Sequence, residues 1–359
     1  MNVYKFSNHL GTSFTKELKE RVNQYFSSKE ISRSGDYRMG VKSAVMISMF
    51  LFPLLILCSG YISNVWAVFG LYLLSGLGMA GIGMSVMHDA LHGTFSSKKS
   101  INKVMGWSIY LIGANPTVWK IQHNVLHHTY TNIDEADDDL HVPGILRISP
   151  DQNRFWIHKF QFVYAWILYG MMTLVWVTTR DFTRLKRYRN MGLVKTQKEY
   201  NRIITEAILL KFFYFGYSIA IPMLMIPVAW WIVLLAYFSM HFVTGIVLTV
   251  IFQMGHIMPS SEFPQPDENG LIGQNWSIHQ LATTCNFAPR NRVLSWFVGG
   301  LNYQIEHHLM PHICHLHYKD LSKIVQETAE KYGIPYHSKR TLFHALKSHT
   351  DMLYQLGRA

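Results

Sequence analysis

The sequence has little charge and few cysteines. Only 15% of its 359 residues are Asp, Glu, Lys or Arg, whereas about 25% is usual for a soluble domain. Its three cysteines form no CxxC pair, so the chain is not a disulfide scaffold and its site need not face an oxidising compartment. Since 49% of the residues are hydrophobic and they occur in long uncharged runs, a disordered or collagen-like chain is excluded as well. The composition indicates a polytopic membrane protein.

Four stretches have the roughly 20 apolar residues that a helix needs to cross a bilayer. Residues 44–62 and 65–87 are separated by the polar pair Ser63-Asn64, and no charged residue occurs between Phe212 and Ser261. The uncharged run from Phe212 to Ser261 is long enough for two helices. The sequence therefore predicts an all-α membrane protein with four transmembrane helices in two hairpins, at about residues 44–62, 65–87, 207–226 and 229–254.

Residues 160–179 leave two alternatives open. They are uncharged and flanked by Lys159 and Arg180, but their aromatic and polar residues are typical of a helix that lies in the membrane interface. A fifth transmembrane helix would also place the two ends of the chain on opposite sides of the membrane. An interfacial helix is favoured over a fifth span.

The distribution of basic residues predicts the orientation in the membrane. Residues 1–42 carry eight Lys or Arg, residues 180–211 carry nine, and the two predicted outer turns carry none. The chain is predicted to comprise an arm (1–42), a membrane domain with a histidine-bearing cap (43–335) and a tail (336–359). By the positive-inside rule, the arm, the cap and the tail all face the cytoplasm. The first apolar run has no signal-peptide character and is expected to stay in place. The net charge of +11 is explained by this rule and by attraction to anionic lipid headgroups. Nucleic-acid binding is the less favoured explanation.

Nineteen histidines are unusual in such a chain, because imidazole is the commonest metal ligand and is otherwise rare in bilayers. Seven of them form the clusters HDALH, HNVLHH and QIEHH, which the predicted topology places on one side of the membrane. On an α-helix, residues four apart share a face, whereas adjacent residues point about 100° apart. The seven are His88, His92, His123, His127, His128, His307 and His308.

Seven converging histidines predict two metal ions, since a single structural zinc needs only four ligands. Imidazole suits zinc, copper, iron and nickel. The clusters lie beyond the ends of the predicted spans, whereas transporters hold ions near the middle of the membrane. A metal-ion transporter is therefore the less favoured alternative to redox or oxygen chemistry on a lipid-like substrate.

HDALH, HNVLHH and QIEHH, in this order around two hairpins, closely resemble the three histidine boxes of membrane fatty acid desaturases. The longer strings HNVLHHTYTNIDEADDDL and NYQIEHHLMPHICHLHY are similar to those of linoleoyl-CoA and other front-end desaturases. Gln304 is the distinguishing residue, because the stearoyl-type branch has a histidine at this position. The resemblance covers about residues 40–335. It implies a di-iron site that uses O2 to remove two hydrogens from an acyl chain, leaving a cis double bond and water.

The resemblance implies that the seven histidines bind iron and that a further ligand follows the fourth span. His256 has that position, His279 is the alternative, and His256 is preferred. Gln304 is then a weak ligand or a residue that orients a ligand. An acidic run after the second box is either a solvated loop or a set of hydrogen-bond acceptors for ligand histidines; it comprises Asp134, Glu135, Asp137, Asp138 and Asp139.

The resemblance also indicates the partners. Many eukaryotic front-end desaturases carry a fused cytochrome b5 domain with an HPGG haem motif, and this sequence has no HPGG. Electrons are expected from ferredoxin or a separate cytochrome b5 with its reductase, in a bacterial cytoplasmic membrane. The substrate is expected to be an acyl-CoA or an acyl lipid, and a Δ5 or Δ6 bond on C18 chains is favoured. Hydroxylation of an acyl chain or sphingolipid on the same scaffold is the alternative.

Overall fold

The computed structural model describes residues 4–7, 11–142 and 144–359, so residues 1–3 and 8–10 of the predicted arm lie outside the described residues. The described chain is mostly helical. Its β-structure consists of two short parallel pairs, Lys5–Phe6 with Leu271–Ile272 and Asn286–Phe287 with Ser338–Lys339. The predicted all-helical class is therefore confirmed.

Five helices in the described residues are long and apolar enough to cross a membrane. They are Tyr37–Cys58, Val65–Leu91, Trp156–Asn190, Gln197–Met225 and Trp230–His256. The third of these contains residues 160–179, the segment for which an interfacial position is favoured. Its length and composition also fit a fifth span, so the four-span topology stays a prediction.

The remaining helices are shorter or more polar. They are Thr12–Lys29, Lys99–Gly106, Ser108–Leu111, Pro116–Lys120, Ile121–His127, His128–Tyr130, Trp276–Thr283, Arg292–Phe297, Gln304–Leu309, His315–His317, Tyr318–Lys331 and Leu342–Leu356. Several helix starts follow from capping residues. Asp36 accepts a hydrogen bond from the Arg38 amide and Asn64 accepts one from the Ala67 amide, which satisfies donors that have no partner within the helix.

The chain divides into two compact units. The histidine unit comprises residues 1–35, 122–165 and 250–359, and the span unit comprises residues 36–121 and 166–249. Within the span unit, small residues allow close helix packing, as is common in membranes. A Cβ on Gly78 would lie 2.4 Å from the Phe50 amide nitrogen, and Ser75 donates a 2.9 Å hydrogen bond to the Phe50 carbonyl.

Within the histidine unit, one apolar stripe organises the core around the third histidine box. Helix Thr12–Lys29 buries a side chain every four residues, and this stripe packs in one cluster with residues of helix Tyr318–Lys331. Ile305 and Leu309, which flank the adjacent histidines of the third box, belong to the same cluster. The core therefore fixes the rotation of helix Gln304–Leu309 and with it the direction of its histidines. The stripe consists of Phe14, Leu18, Val22 and Phe26.

Candidate metal centre

Three elements of the histidine unit bring six predicted ligands together. The second box lies on the π-helical segment Ile121–His127 and the turn that follows it, His256 is the last residue of helix Trp230–His256, and the third box lies on Gln304–Leu309. No more than 6% of any of these side chains is exposed. The six are His123, His127, His128, His256, His307 and His308.

The π-helical segment changes the geometry predicted for the second box. On an α-helix His128 would point away from His123, but π-helical hydrogen bonds join residues i and i+5 and widen the turn. His123 and His128 are five residues apart, and their Nε2 atoms lie only 3.2 Å from each other. The expected splay of His128 away from the face of His123 is therefore wrong, because it assumed α-helical geometry.

Two groups of three histidines could each hold a metal ion. One consists of His127, His256 and His308 and the other of His128, His307 and His308, with the nitrogens of each group within 4.8 Å of one another. The rings of His127 and His256, and those of His256 and His308, have centroids 4.7 Å apart. The two groups are adjacent because His308 belongs to both, and the arrangement fits two neighbouring ions, of which the single free Nε2 of His308 can bind one.

Four of the six ring nitrogens of the first group lack hydrogen-bond partners in the described part of the chain. These are Nε2 of His127, Nε2 of His308 and both ring nitrogens of His256. A buried polar atom without a partner costs about 1–3 kcal/mol, so four such atoms side by side are unfavourable unless something else satisfies them. A metal ion would do so, and these residues therefore fit a metal.

The opposite nitrogens of the histidines are hydrogen-bonded to residues around the site. His127 Nδ1 lies 3.0 Å from Asp137 Oδ1, and His308 Nδ1 lies 2.9 Å from Gln280 Oε1. Such bonds set the tautomer, so that Nε2 carries the lone pair that a metal needs. Asp137 is held in turn by the backbone amides of Asn132 and Asp139, so part of the acidic run contacts a predicted ligand.

The electrostatics differ between the two best-supported histidines. Burial alone would lower the pKa of His127, but the charges of Asp137 and Asp139 and the hydrogen bond to Asp137 outweigh burial and raise it. Burial and the neighbouring histidines lower the pKa of His308 well below its usual value. His308 is therefore neutral near pH 7, the state in which imidazole binds metal.

His88 and His92 belong to the span unit. They follow the π-helical turn Ile82–Val86, and their ring centroids lie 4.7 Å apart. The ring of Trp119 lies beside both, at 5.8 and 5.9 Å. The first box thus presents a paired set of imidazoles within its own unit.

His256 and His279, the two alternatives for the further ligand, have different surroundings. His256 shares a metal-competent group with His127 and His308, whereas His279 is in no such group within the described residues. The His279 ring instead packs 5.0 Å from the ring of Phe6. The geometry thus favours His256 of the two.

Gln304 lies beside the end of the helix that carries His256. Its Nε2 donates a 2.7 Å hydrogen bond to the Leu301 carbonyl, while its buried Oε1 has no partner among the described residues. A Cβ on Gly255 would lie 2.5 Å from Gln304 Cγ. Only glycine at position 255 therefore lets Gln304 pack this closely.

Known proteins with similar sequences identify the family of this chain. A sequence model of the family described as fatty acid desaturase matches residues 64–340. The chain belongs to the fatty acid desaturase family. It is 33% identical to an sn-1 linoleoyl-lipid 6-desaturase of Synechocystis sp., over 99% of this chain and 98% of that protein. It is 32% identical to the protein of the same name in Arthrospira platensis, over 96% and 92%.

A third relative of this desaturase is the acyl-lipid (8-3)-desaturase of Physcomitrium patens, with 32% identity over 95% of this chain and 71% of that protein. The predicted resemblance to front-end desaturases and the predicted desaturase function are confirmed by the family match and by these relatives. The protein is an oxidoreductase with several helices apolar enough to cross a membrane. Hydroxylation and metal transport are not favoured.

Two contacts of the desaturase site lie outside every histidine box. Gln280 accepts from His308, and the Tyr318 hydroxyl lies 3.3 Å from His307 Nδ1. Gln280 has no spacing or composition that would single it out, and Tyr318 is marked only as the last residue of the string NYQIEHHLMPHICHLHY. Asp137, in contrast, belongs to the acidic run for which contact with ligand histidines was one of two interpretations.

Proposed function

We propose that this desaturase inserts a cis double bond at the Δ6 position of linoleoyl chains carried on a glycerolipid, with two iron ions and O2. The buried group of His127, His256 and His308, with its partnerless nitrogens, carries the metal part of the proposal. The regiochemistry and the lipid-linked substrate are supported by two relatives, both sn-1 linoleoyl-lipid 6-desaturases, matched over nearly their whole length.

The predicted ligand histidines of this chain would bind two iron ions. The eight histidines predicted as ligands would hold the two ions, with His127, His256 and His308 binding one of them. Bound iron supplies the activation of O2 and the removal of hydrogen. Asp137 and Gln280 keep the ligand nitrogens directed at the metal, and Gln304 acts as a weak ligand or orients one. The remaining histidines are His88, His92, His123, His128 and His307.

Metal analysis of the purified, folded protein tests this ligand set. About two irons per chain are expected, and His127→Ala should lose iron and product while the protein still accumulates in the membrane. His344→Ala is the matched control, since His344 is exposed and lies on helix Leu342–Leu356. One zinc and no iron in the wild type would reject the di-iron proposal.

The position of the double bond is tested by feeding linoleic acid to an expressing host that makes only saturated and monounsaturated chains. A new Δ6 bond, located by mass spectrometry and appearing first in intact glycerolipids, is expected. First appearance in the acyl-CoA pool would reject the lipid-linked substrate. A bond at Δ9 or on the methyl side of existing bonds would reject the front-end assignment and leave the desaturase assignment intact.

The electron donor and the membrane are further parts of the proposal. We infer that ferredoxin or cytochrome b5, each with its reductase, supplies electrons on the cytoplasmic side of a bacterial membrane. The purified chain should be inactive with NAD(P)H alone and active when donor and reductase are added. Turnover with NAD(P)H and O2 in a preparation free of other proteins would contradict this.

A further inference from the structure

His256 differs from the other histidines of its metal-competent group in how its ring is held. His127 is bonded through Nδ1 to Asp137, and His308 through Nδ1 to Gln280. Neither nitrogen of His256 makes a hydrogen bond in the described residues, although the Gln304 side chain and the Thr283 backbone are its polar neighbours. The position of its ring is therefore set by its backbone and by the rings packed around it, those of Phe252, His127 and His308.

That backbone lies at a helix end, where the last carbonyls have no partners within the helix. Three donors from distant segments fill this role. The Cys285 amide donates to the Gly255 carbonyl at 2.8 Å, the Asn132 side chain to the His256 carbonyl at 3.1 Å, and His349 Nδ1 to the Ile257 carbonyl at 2.9 Å. Together they hold the three consecutive carbonyls around His256.

The third donor comes from the segment expected to be a cytoplasmic tail. Helix Leu342–Leu356 buries His349 completely. The end of this helix is fixed, because Arg147 donates to the carbonyls of Leu356 and Ala359 at 2.6 and 3.1 Å, and Gln161 donates to that of Leu353 at 2.9 Å. The His349 donor therefore stands on a rigid support.

The chemistry of the contact defines the state of His349. A carbonyl oxygen only accepts, so Nδ1 must carry the proton. Burial lowers the pKa of His349 to about 4, which keeps the imidazole neutral near pH 7. A side chain that donates one hydrogen bond from this position is what the contact requires.

We propose that His349 is a positioning residue for the metal centre, which holds the end of helix Trp230–His256 so that the His256 ring faces the bound ion. This rests on the proposed function, in which His256 is an iron ligand. His349 itself touches neither iron nor substrate. It acts through one backbone carbonyl, 92 residues earlier in the chain.

The test is the rate at which a chelator removes iron from the purified protein. His349→Phe keeps a ring but removes the donor, and should release iron about 10–100-fold faster, the range typical of residues that support metal ligands. His349→Asn places an amide donor near the position of Nδ1 and should release iron within about twofold of the wild type. His344→Phe, on an exposed position of the same helix, is the matched control.

A combined variant separates positioning from a general effect on folding. If His349 acts through His256, His349→Phe should change iron release little when His256→Ala is already present, because coupled sites are not additive. Wild-type iron release by His349→Phe, or an equal effect with and without His256, would overturn the proposal. Should His349→Phe fail to fold, His349→Leu is used in the same comparison.

The same experiment keeps this inference distinct from the proposed function. If His256→Ala retains two irons and full iron affinity, the ligand assignment fails, whatever His349 does. If His256→Ala loses iron and His349→Phe does not, only the positioning role fails.

Discussion

Buried histidines occur in both units of this desaturase, but their hydrogen bonds differ. In the span unit, His241 is fully buried, with Nε2 2.9 Å from the Tyr214 hydroxyl and Nδ1 3.1 Å from Thr173 Oγ1. In the histidine unit, His308 is equally buried, but Nε2 has no partner among the described residues. A histidine bonded at both nitrogens packs helices together, whereas one bonded at a single nitrogen has a lone pair left for a metal.

Charged groups of the span unit follow the same pattern as His241. The Lys211 ammonium donates to Asp181 Oδ2 at 2.7 Å and to the carbonyls of Gly113 and Trp176 at 2.9 and 3.2 Å. These contacts use all three donors of the ammonium group. The buried polar atoms of His241 and Lys211 are therefore satisfied by the protein itself, whereas Nε2 of His308 is not.

The largest effect is expected at His308, the histidine shared by both metal-competent groups. His308→Ala and His256→Ala should each lose the ion that these two residues would bind together with His127, and His308→Ala should also lose all measurable product. Iron analysis of each folded variant and lipid analysis of the host make the comparison. Two irons per chain in His308→Ala would show that His308 is not a ligand.

In the span unit, breaking the Lys211–Asp181 pair should reduce stability rather than metal content. Lys211→Met leaves the Asp181 carboxylate buried without its partner and should lower the free energy of unfolding by about 3–5 kcal/mol. Thermal or denaturant unfolding in detergent measures this. The double variant with Asp181→Leu should recover most of the loss, and iron per folded chain should stay near the wild-type value in both.

Next in size is Asp137, which orients His127 from behind. Asp137→Asn keeps the shape of the side chain but removes the charge, and should weaken iron retention about 10–100-fold. Chelator competition measures the affinity. Glu135→Gln, at an exposed position of the same acidic run, should behave like the wild type. Equal losses in both variants would indicate a general charge effect instead.

The smallest effect is expected for Tyr214→Phe, which removes the hydroxyl beside His241. The loss of one hydrogen bond should cost about 1 kcal/mol of stability without changing the iron content. Unfolding in detergent and metal analysis of the same preparation check both parts. A loss of iron would show that His241 takes part in metal binding and would break the distinction between His241 and His308.

Much of the site could be predicted because its signals are local. The apolar runs indicate membrane helices, and histidines four residues apart on one short segment indicate ligands on a shared helix face. The asparagine and aspartate caps at Asn64 and Asp36 are equally local, since a side chain there bonds an amide two or three residues later. Such features depend on neighbours in the chain and are therefore visible in the sequence.

Contacts between distant segments could not be predicted in the same way. Gln280 supports His308 across 28 residues, and His349 reaches the Ile257 carbonyl across 92. Neither has a spacing that marks it, because each acquires its role only when packing brings the two segments within hydrogen-bond distance. The π-helical segment Ile121–His127 is a similar case, since its widened turn depends on tertiary context rather than on a residue pattern.

The sequence by itself determined the class of protein and the identity of the boxed histidines, because composition, hydrophobic runs and histidine spacing are properties of the chain alone. Tertiary structure decided which of His256 and His279 joins His127 and His308, and which side chains support them. The physical reason is that a ligand set is a set of distances, and distances between remote residues exist only after the helices have packed. The directions of the lone pairs depend in turn on hydrogen bonds such as that from His308 to Gln280.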